Sequence, residues 1–504
     1  MMRITAILIF SLLCGRSHAQ RQASRHDFNK ELSGYMASFL SNPALQFLNP
    51  DSTYTDLSVN LGLVNAGGLY MTEGGDKSEN VSFNVHSFNR KDATILYGGA
   101  GYENRRDEHV NWNSVADYQL VAPYIVADTT GGTSKQEYYS FFGGYAHQWS
   151  NKTFGIGAEY RAGESYRTLD PRPKSTISDF SVNAGMAFKL PDYQLAAGAM
   201  YSTYKQELDI NVYRPGGGNK VFYMKGFGIC DENFSTVISS NDNLGDYYDL
   251  NAWKLSMQLF PRGNGYFSAI NFRHGTLNMK DGNQDNAYTL YQLNTNEYYA
   301  EIGRLYIRQK VHVKIKGYGG FLHKKGSEYN YAQSLTVLSV AQKYSQRELS
   351  GGIDCFVSST HAVPRQYFIK AGIGYFSYHA QYKLPSPDPK AYQEFGFIST
   401  DLTAGINKHY LKSAMTIKIS MRYDHCLDKK YREASLATAE TLRSAVIPDF
   451  EYLTAKKINL SPQVRYDIDL KGNYGLYVTA RQFNEFYIGD KPKTGLNIAI
   501  GLTL

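Results

Sequence analysis

The nearest approaches to a histidine–hydroxyl pair on one strand face in this 504-residue chain are at His86 and His274. An imidazole can take a hydroxyl proton when both groups lie on one face of a strand, which requires a spacing of two. His86 and Ser87 are adjacent and must point to opposite faces; His274-Gly275-Thr276 has the spacing, but offers a Thr nucleophile and no evident Asn or Asp to orient the ring. Metal chemistry is no better served. The histidines are dispersed, and Asp231-Glu232 and the stretch from Asp242 to Asp249 lack the regular oxygen-ligand spacing of a calcium loop. No Gly-rich phosphate loop leads into a helix. The reading is a non-enzyme with no cofactor and no metal. One local sequence is sharp: in Leu169-Asp170-Pro171-Arg172-Pro173 two prolines restrict the backbone and hold Arg172 in a fixed direction. Such an arginine constricts a lumen, docks a partner or simply tops a stiff loop.

The elements that must position these residues begin after a leader. Arg3 gives a positive start, Ile4 to Leu13 an apolar core too short to span a bilayer, and Ser17-His18-Ala19 a small-x-small cleavage site before Gln20. Residues 1–19 therefore read as a secretory signal. Cleavage leaves Cys230, Cys355 and Cys426, an odd and widely spaced set that suits neither a disulfide framework nor a metal knuckle. Formal charge is +7 and falls to +5 once Arg3 and Arg16 leave with the signal, too mild to indicate nucleic-acid binding. No later apolar run approaches a spanning helix, and mean hydropathy is −0.42. Yet 42 Tyr, 26 Phe and 45 Gly against 3 Trp and 15 Pro suit strands that cross a membrane, of which only alternate residues face lipid.

From residue 20 to 52 the chain reads as a tucked-in N-terminal segment, with Phe28, Leu32, Tyr35, Met36, Phe39 and Leu40 near helical spacing before Asn42-Pro43-Ala44 breaks it. Residues 53–504 then form hairpins whose turns alternate between tight, as at Pro191-Asp192 or Asn407-Lys408-His409, and long, as from Arg105 to Lys135, Leu208 to Asp246 or Cys426 to Pro448. Turns sorted by length onto two rims predict an all-β fold, a transmembrane antiparallel β-barrel of about 18 strands with 14 to 18 possible. The strands include 92–104, 342–359, 448–469 and a closing one at 494–504, where Leu496, Ile498, Ile500, Leu502 and Leu504 take alternate positions. The apolar run Val221-Phe222-Tyr223-Met224 with Phe227 should fold inward over the barrel mouth or bind something outside.

Several strands split into apolar and charged faces, and a charge facing lipid costs about 2–4 kcal/mol at midplane, so the charged face must line the lumen. That phase collects Arg161, Lys254, Lys314, Lys316, Lys370, Lys418, Arg422, Arg465 and Arg481, against Glu159, Glu348, Asp354, Asp401 and Asp467. The balance leans basic. Either these cations favour anionic solutes, or they pair across strands and fill a blocked interior.

Asn497, Ala499, Leu502 and Leu504 resemble the C-terminal signal read by the outer-membrane barrel-assembly machinery, with Ala499 where Gly is usual and Leu504 where an aromatic is commonest. Asn42-Pro43-Ala44 resembles the start of barrels of the long-chain fatty acid transporter type. With the loop around Arg172, the chain looks like uncharacterised outer-membrane barrels of Bacteroidota. The resemblance implies the outer membrane of a Gram-negative cell, and outer-membrane lipid and the assembly machinery as partners. Three functions stay open: a channel or transporter for small solutes, anionic ones if the basic lumen selects; a non-conducting accessory barrel that docks a surface lipoprotein or a TonB-dependent receptor; and a lipid hydrolase of the outer-membrane phospholipase kind.

Overall fold

The computed structural model describes residues 31, 33–49, 53–214, 219–239, 243–282, 287–332, 336–359, 365–385, 390–410, 412–470 and 474–504. The predicted signal, Phe28 and Leu32 of the expected helical segment, and Asp242 lie outside the described residues.

Period-two patterning makes each hairpin, and neighbouring hairpins pair in sequence order into an 18-stranded antiparallel sheet. The sheet closes. Strand Tyr54–Ala66 pairs on one side with Lys77–Lys91 and on the other with the final strand Lys493–Thr503, setting Val59 opposite Ile500 and Leu61 opposite Ile498. Beyond that ladder Thr55 and Leu504 exchange backbone hydrogen bonds of 3.0 and 2.8 Å, so the seam has no open edge. The outward residues form an apolar belt: Leu61, Ile270, Ile302, Ile315, Ile353, Ile373, Leu402, Ile419 and Ile500 are all exposed on the barrel's outside. A large apolar surface of this kind has lipid as its solvent. Ile353→Arg, at a position 58 % exposed in the belt, is therefore expected to cost about 2–4 kcal/mol. The measurement is the fraction of heat-modifiable, folded protein on gels after refolding; an unchanged fraction would contradict the belt.

Two elements depart from the sequence reading. The strand expected from residue 448 starts at Lys457, and Ala439–Thr454 is helical instead. Val446, Phe450 and Leu453 lie on one helix face at spacings of four and three and line a cavity in the barrel, while Pro448 sits in the first turn of the helix Ile447–Thr454, where a missing N–H costs nothing. The long loops also carry strands of their own. Tyr124–Asp128 pairs with Asn219–Lys225, which pairs with Thr236–Ile238, in a second sheet of three strands.

Candidate functional site

At the short-turn rim the lumen is occupied by residues 33–48. Asn42 caps the 3-10 helix Pro43–Leu48, accepting from Ala44 N at 3.0 Å, and donates through Nδ2 to Gln258 Oε1 of the wall at 3.0 Å. The wall gives way to it: a Cβ at Gly155 would collide with Pro43, and one at Gly185 with the Asn42 side chain. Arg90 Nη2 donates to the carbonyls of Phe47 and Asn49 at 3.1 and 2.8 Å, holding the end of the segment. Tyr35, Phe39, Ala44 and Leu45 pack against Ala187, Ala196, Phe267, Leu305, Phe356 and Phe368 of the wall. The result is an apolar seal.

At the long-loop rim the second sheet is the centre of a lid. Val221, Phe222, Tyr223, Met224 and Phe227, the run expected to fold inward or bind outside, are buried with Val126, Tyr248, Tyr291 and Tyr344 in the largest apolar cluster of the molecule. Three segments meet there. Asp449 Oδ1 of the helix Ile447–Thr454 accepts from Thr72 N and Oγ1 at 2.8 and 2.7 Å, and Trp112 Nε1 donates to Ser444 Oγ at 2.8 Å. Glu73 lies beside Asp449, and Gln119 Nε2 donates to it at 3.4 Å. Burial, then the neighbouring Asp449 charge, raises the Glu73 carboxyl far above the usual carboxylate range; burial raises Asp449 as well. Sequence reading singled out none of these residues, because the pairing spans Thr72 to Asp449 and leaves no local signature.

Between seal and lid lie chambers. One of about 660 Å³ is lined by aromatics such as Tyr118, Phe376, Phe395 and Phe450 with Lys324, Glu348, Arg422 and Asp424. A more polar one of about 760 Å³ shares Met71, Glu73, Tyr118 and Gln119 with it and adds Arg161 and Asp179. A third, of about 560 Å³, sits on the seal beside Lys254, Arg273, Glu297 and Lys316.

The predicted charged face does point inward, as the outward exposure of its neighbours Tyr160, Leu255, Ile315, Ile369, Ile417, Val464 and Ala480 requires. Most of its cations are matched. Arg161 binds Asp117 at 2.7 Å and Asp179 at 3.4 Å, Lys316 binds Glu301 at 3.0 Å, and Lys418 binds Glu31 of the N-terminal segment. Arg422 reaches Asp424 at 2.8 Å and Asp401 at 3.6 Å; Arg465 pairs with Asp467 at 2.8 Å; Arg481 donates to Ser461 Oγ at 2.8 Å. Lys314 is buried against Met36, 3.0 Å from its Sδ, and the Asp354 carbonyl accepts from Tyr35 at 3.1 Å, so both belong to the seal. Glu159 and Lys370 face the lumen without an ion pair among the described residues. Five of the nine cations predicted from sequence are thus neutralised by ion pairs among the described residues, in part by carboxylates outside the predicted set, Asp117, Asp179, Glu301, Asp424 and Glu31. Arg172 neither constricts the lumen nor floats free: it binds Asp170 at 2.7 Å and stacks 4.4 Å from the Tyr213 ring.

His274 lies on the outer face beside Trp253, and Asn296 Oδ1 stands 2.8 Å from its Nδ1, the orienting amide that sequence reading had not found. Thr276 Oγ1, however, donates to Asn294 at 2.8 Å rather than to the imidazole. The missing partners were one strand away, visible only once His274 pairs with Asn296 and Thr276 with Asn294 in the register.

Residues 43–504 match a family of unknown function, DUF6850. No curated protein matches. Among solved structures, the chain is similar to BauA, the ferric preacinetobactin receptor from Acinetobacter baumannii, at 10 % identity, with 90 % of this chain and 80 % of that one covered and a TM-score of 0.41. The siderophore receptor PiuA from Acinetobacter baumannii gives 7 %, 90 %, 82 % and 0.42; the ferric citrate transporter FecA in the unliganded form gives 9 %, 90 %, 79 % and 0.38.

Proposed function

The chain belongs to the family of unknown function DUF6850, and we propose that it is an outer-membrane transporter for small solutes, seen with both gates closed. One observation carries this reading: chambers lie inside the lumen between a seal at one rim and a lid at the other. A barrel built only as a scaffold has no need of polar chambers in its lumen, whereas alternating seal and lid is the arrangement that passes a solute without leaving an open hole. In this reading the short-turn rim faces the periplasm and the lid faces outside, as in barrels whose long loops are extracellular.

A second reading has its own support. The partly neutralised lumen also fits an accessory barrel that works by holding a surface lipoprotein or a TonB-dependent receptor. Single-channel recording in planar bilayers separates them. The intact barrel should be nearly silent, and deletion of the lid residues 219–239 together with the seal, residues 20–48, should give conducting pores in a barrel that remains heat-modifiable. If that variant assembles and stays silent, the transporter reading fails.

A further inference from the structure

We propose that the chamber on the seal holds an anion-binding subsite for the carboxylate or phosphate head of a small solute, made by Lys254 and Arg273. The two cations stand opposite one another on adjacent strands, with Glu297 opposite Arg273 on the next. All three side chains line the cavity of about 560 Å³, while their flanking residues Trp253, Leu255 and Tyr298 face outward. Adjacent strands are about 4.8 Å apart, so a group between the first two strands lies within reach of both cations.

What sets these residues apart is that they are unspent. The neighbouring Lys316 is held by Glu301 at 3.0 Å, and Glu301 also accepts from Tyr299 at 2.7 Å and from Ser38. Lys254 and Arg273, by contrast, make no ion pair or hydrogen bond among the described residues, and neither does Glu297. Two unpaired cations against one unpaired carboxylate leave one net positive charge in a partly desolvated cavity, where an oxyanion is worth more than in water. A guanidinium fork suits the bidentate geometry of carboxylate or phosphate, with the lysine as a second point charge. The floor keeps room for it. Gly34, Ala37, Ser38 and Ser41 recur at spacings of three, one and three and turn the small face of the N-terminal segment to the cavity, whereas Tyr35 and Phe39 pack on the wall.

The subsite rests on the transporter reading only for its route of access, so binding and conduction fail separately. The test is calorimetric titration at low salt with inorganic phosphate and with succinate, on the intact barrel and on one lacking residues 20–41, which removes the floor but not the cations. At least one probe should bind at least one form. In that form the double variant Lys254→Met/Arg273→Gln should bind tenfold or more weaker, while Lys370→Gln, which removes a lumen cation elsewhere, should bind within twofold of the parent. Absence of binding in both forms, or equal loss in Lys370→Gln, overturns the subsite even if the barrel lacking lid and seal conducts; a silent barrel that still binds leaves the subsite standing and removes the transport reading instead.

Discussion

Asp128→Ala is expected to release the lid while leaving the barrel closed. Asp128 lies in the lid sheet, 1 % exposed, and pairs with Arg167 of the wall, 2 % exposed. It also accepts from Ser114 Oγ and from the N–H groups of Thr130 and Gly131, each at 3.0 Å, so it ties the loop 111–131 to itself and to the strand Lys152–Arg167. Arg167 has few other partners: Nη2 reaches the Pro171 carbonyl at 3.4 Å, and Nε and Nη1 find no acceptor. Removing the carboxylate leaves a buried guanidinium uncompensated, which costs about 3–5 kcal/mol. The barrel strands do not depend on the pair, since their ladders continue past it, so the cost falls on lid docking. Amide exchange should therefore speed up a hundredfold or more at Tyr124–Asp128 and Asn219–Lys225, with the barrel amides unchanged. In Asp128→Ala/Arg167→Met the charge is gone as well, and protection should partly return. Exchange as slow in Asp128→Ala as in the parent would mean that apolar packing alone holds the lid.

That contrast between barrel and lid is also the line between what the sequence displayed and what it concealed. Barrel strands advertise themselves because the pleat puts alternate residues in lipid: Ile315 and Gly317 against Lys314 and Lys316, or Ile417 and Ile419 against Lys418, admit one phase only. Closure follows from the turn pattern. The lid obeys no such rule, since Tyr124–Asp128 is buried on both faces and too short to carry a period, and its partner Asn219–Lys225 lies over ninety positions away. Helical spacing at Val446, Phe450 and Leu453 is masked because the strand Lys457–Asp469 follows at once and a strand drawn back to residue 448 absorbs the helix. The lumen cations were legible, but their neutralisation was not: Asp117 sits in a loop and Glu31 in the N-terminal segment, and only the fold brings them to Arg161 and Lys418. Arg273 was within reach of the same phase argument as Lys254, since Ile270 and Phe272 alternate with Asn271 and Arg273.

Lid docking should weaken as pH rises, because its three segments meet at a carboxyl pair that binds protons more tightly docked than open. Glu73 and Asp449 are buried together outside the membrane-spanning strands, and among the described residues no cation pairs with either. Nearby, Tyr118 is raised by burial and then by Glu73 and Asp449, Tyr70 by burial, Asp76 and Asp449, and Tyr452 by burial, Glu485 and Glu73; all three stay neutral and cannot compensate a second negative charge, and Lys457 on the wall of the same cavity lies 4.0 Å from Glu485. A carboxyl whose pKa is raised in the docked state contributes its full stabilisation below the ordinary carboxylate range and loses it as pH climbs toward the raised value. Each proton released on opening shifts the equilibrium tenfold toward the open lid per pH unit in that window, about 1.4 kcal/mol. Trp112 reports on it, since its indole donates to Ser444 within the same junction, and replacing the lipid-facing Trp149 and Trp253 by Phe leaves it as the sole indole. Its emission should move toward that of a water-exposed indole as pH is raised from 5 upward. Glu73→Gln keeps the shape and the hydrogen bond from Gln119 but carries no proton to lose, so its emission should stay at the docked value through the same titration. A parent emission flat with pH, or a Glu73→Gln variant as responsive as the parent, would show that the lid is held by its aromatic packing and that the carboxyl pair is a passive part of it.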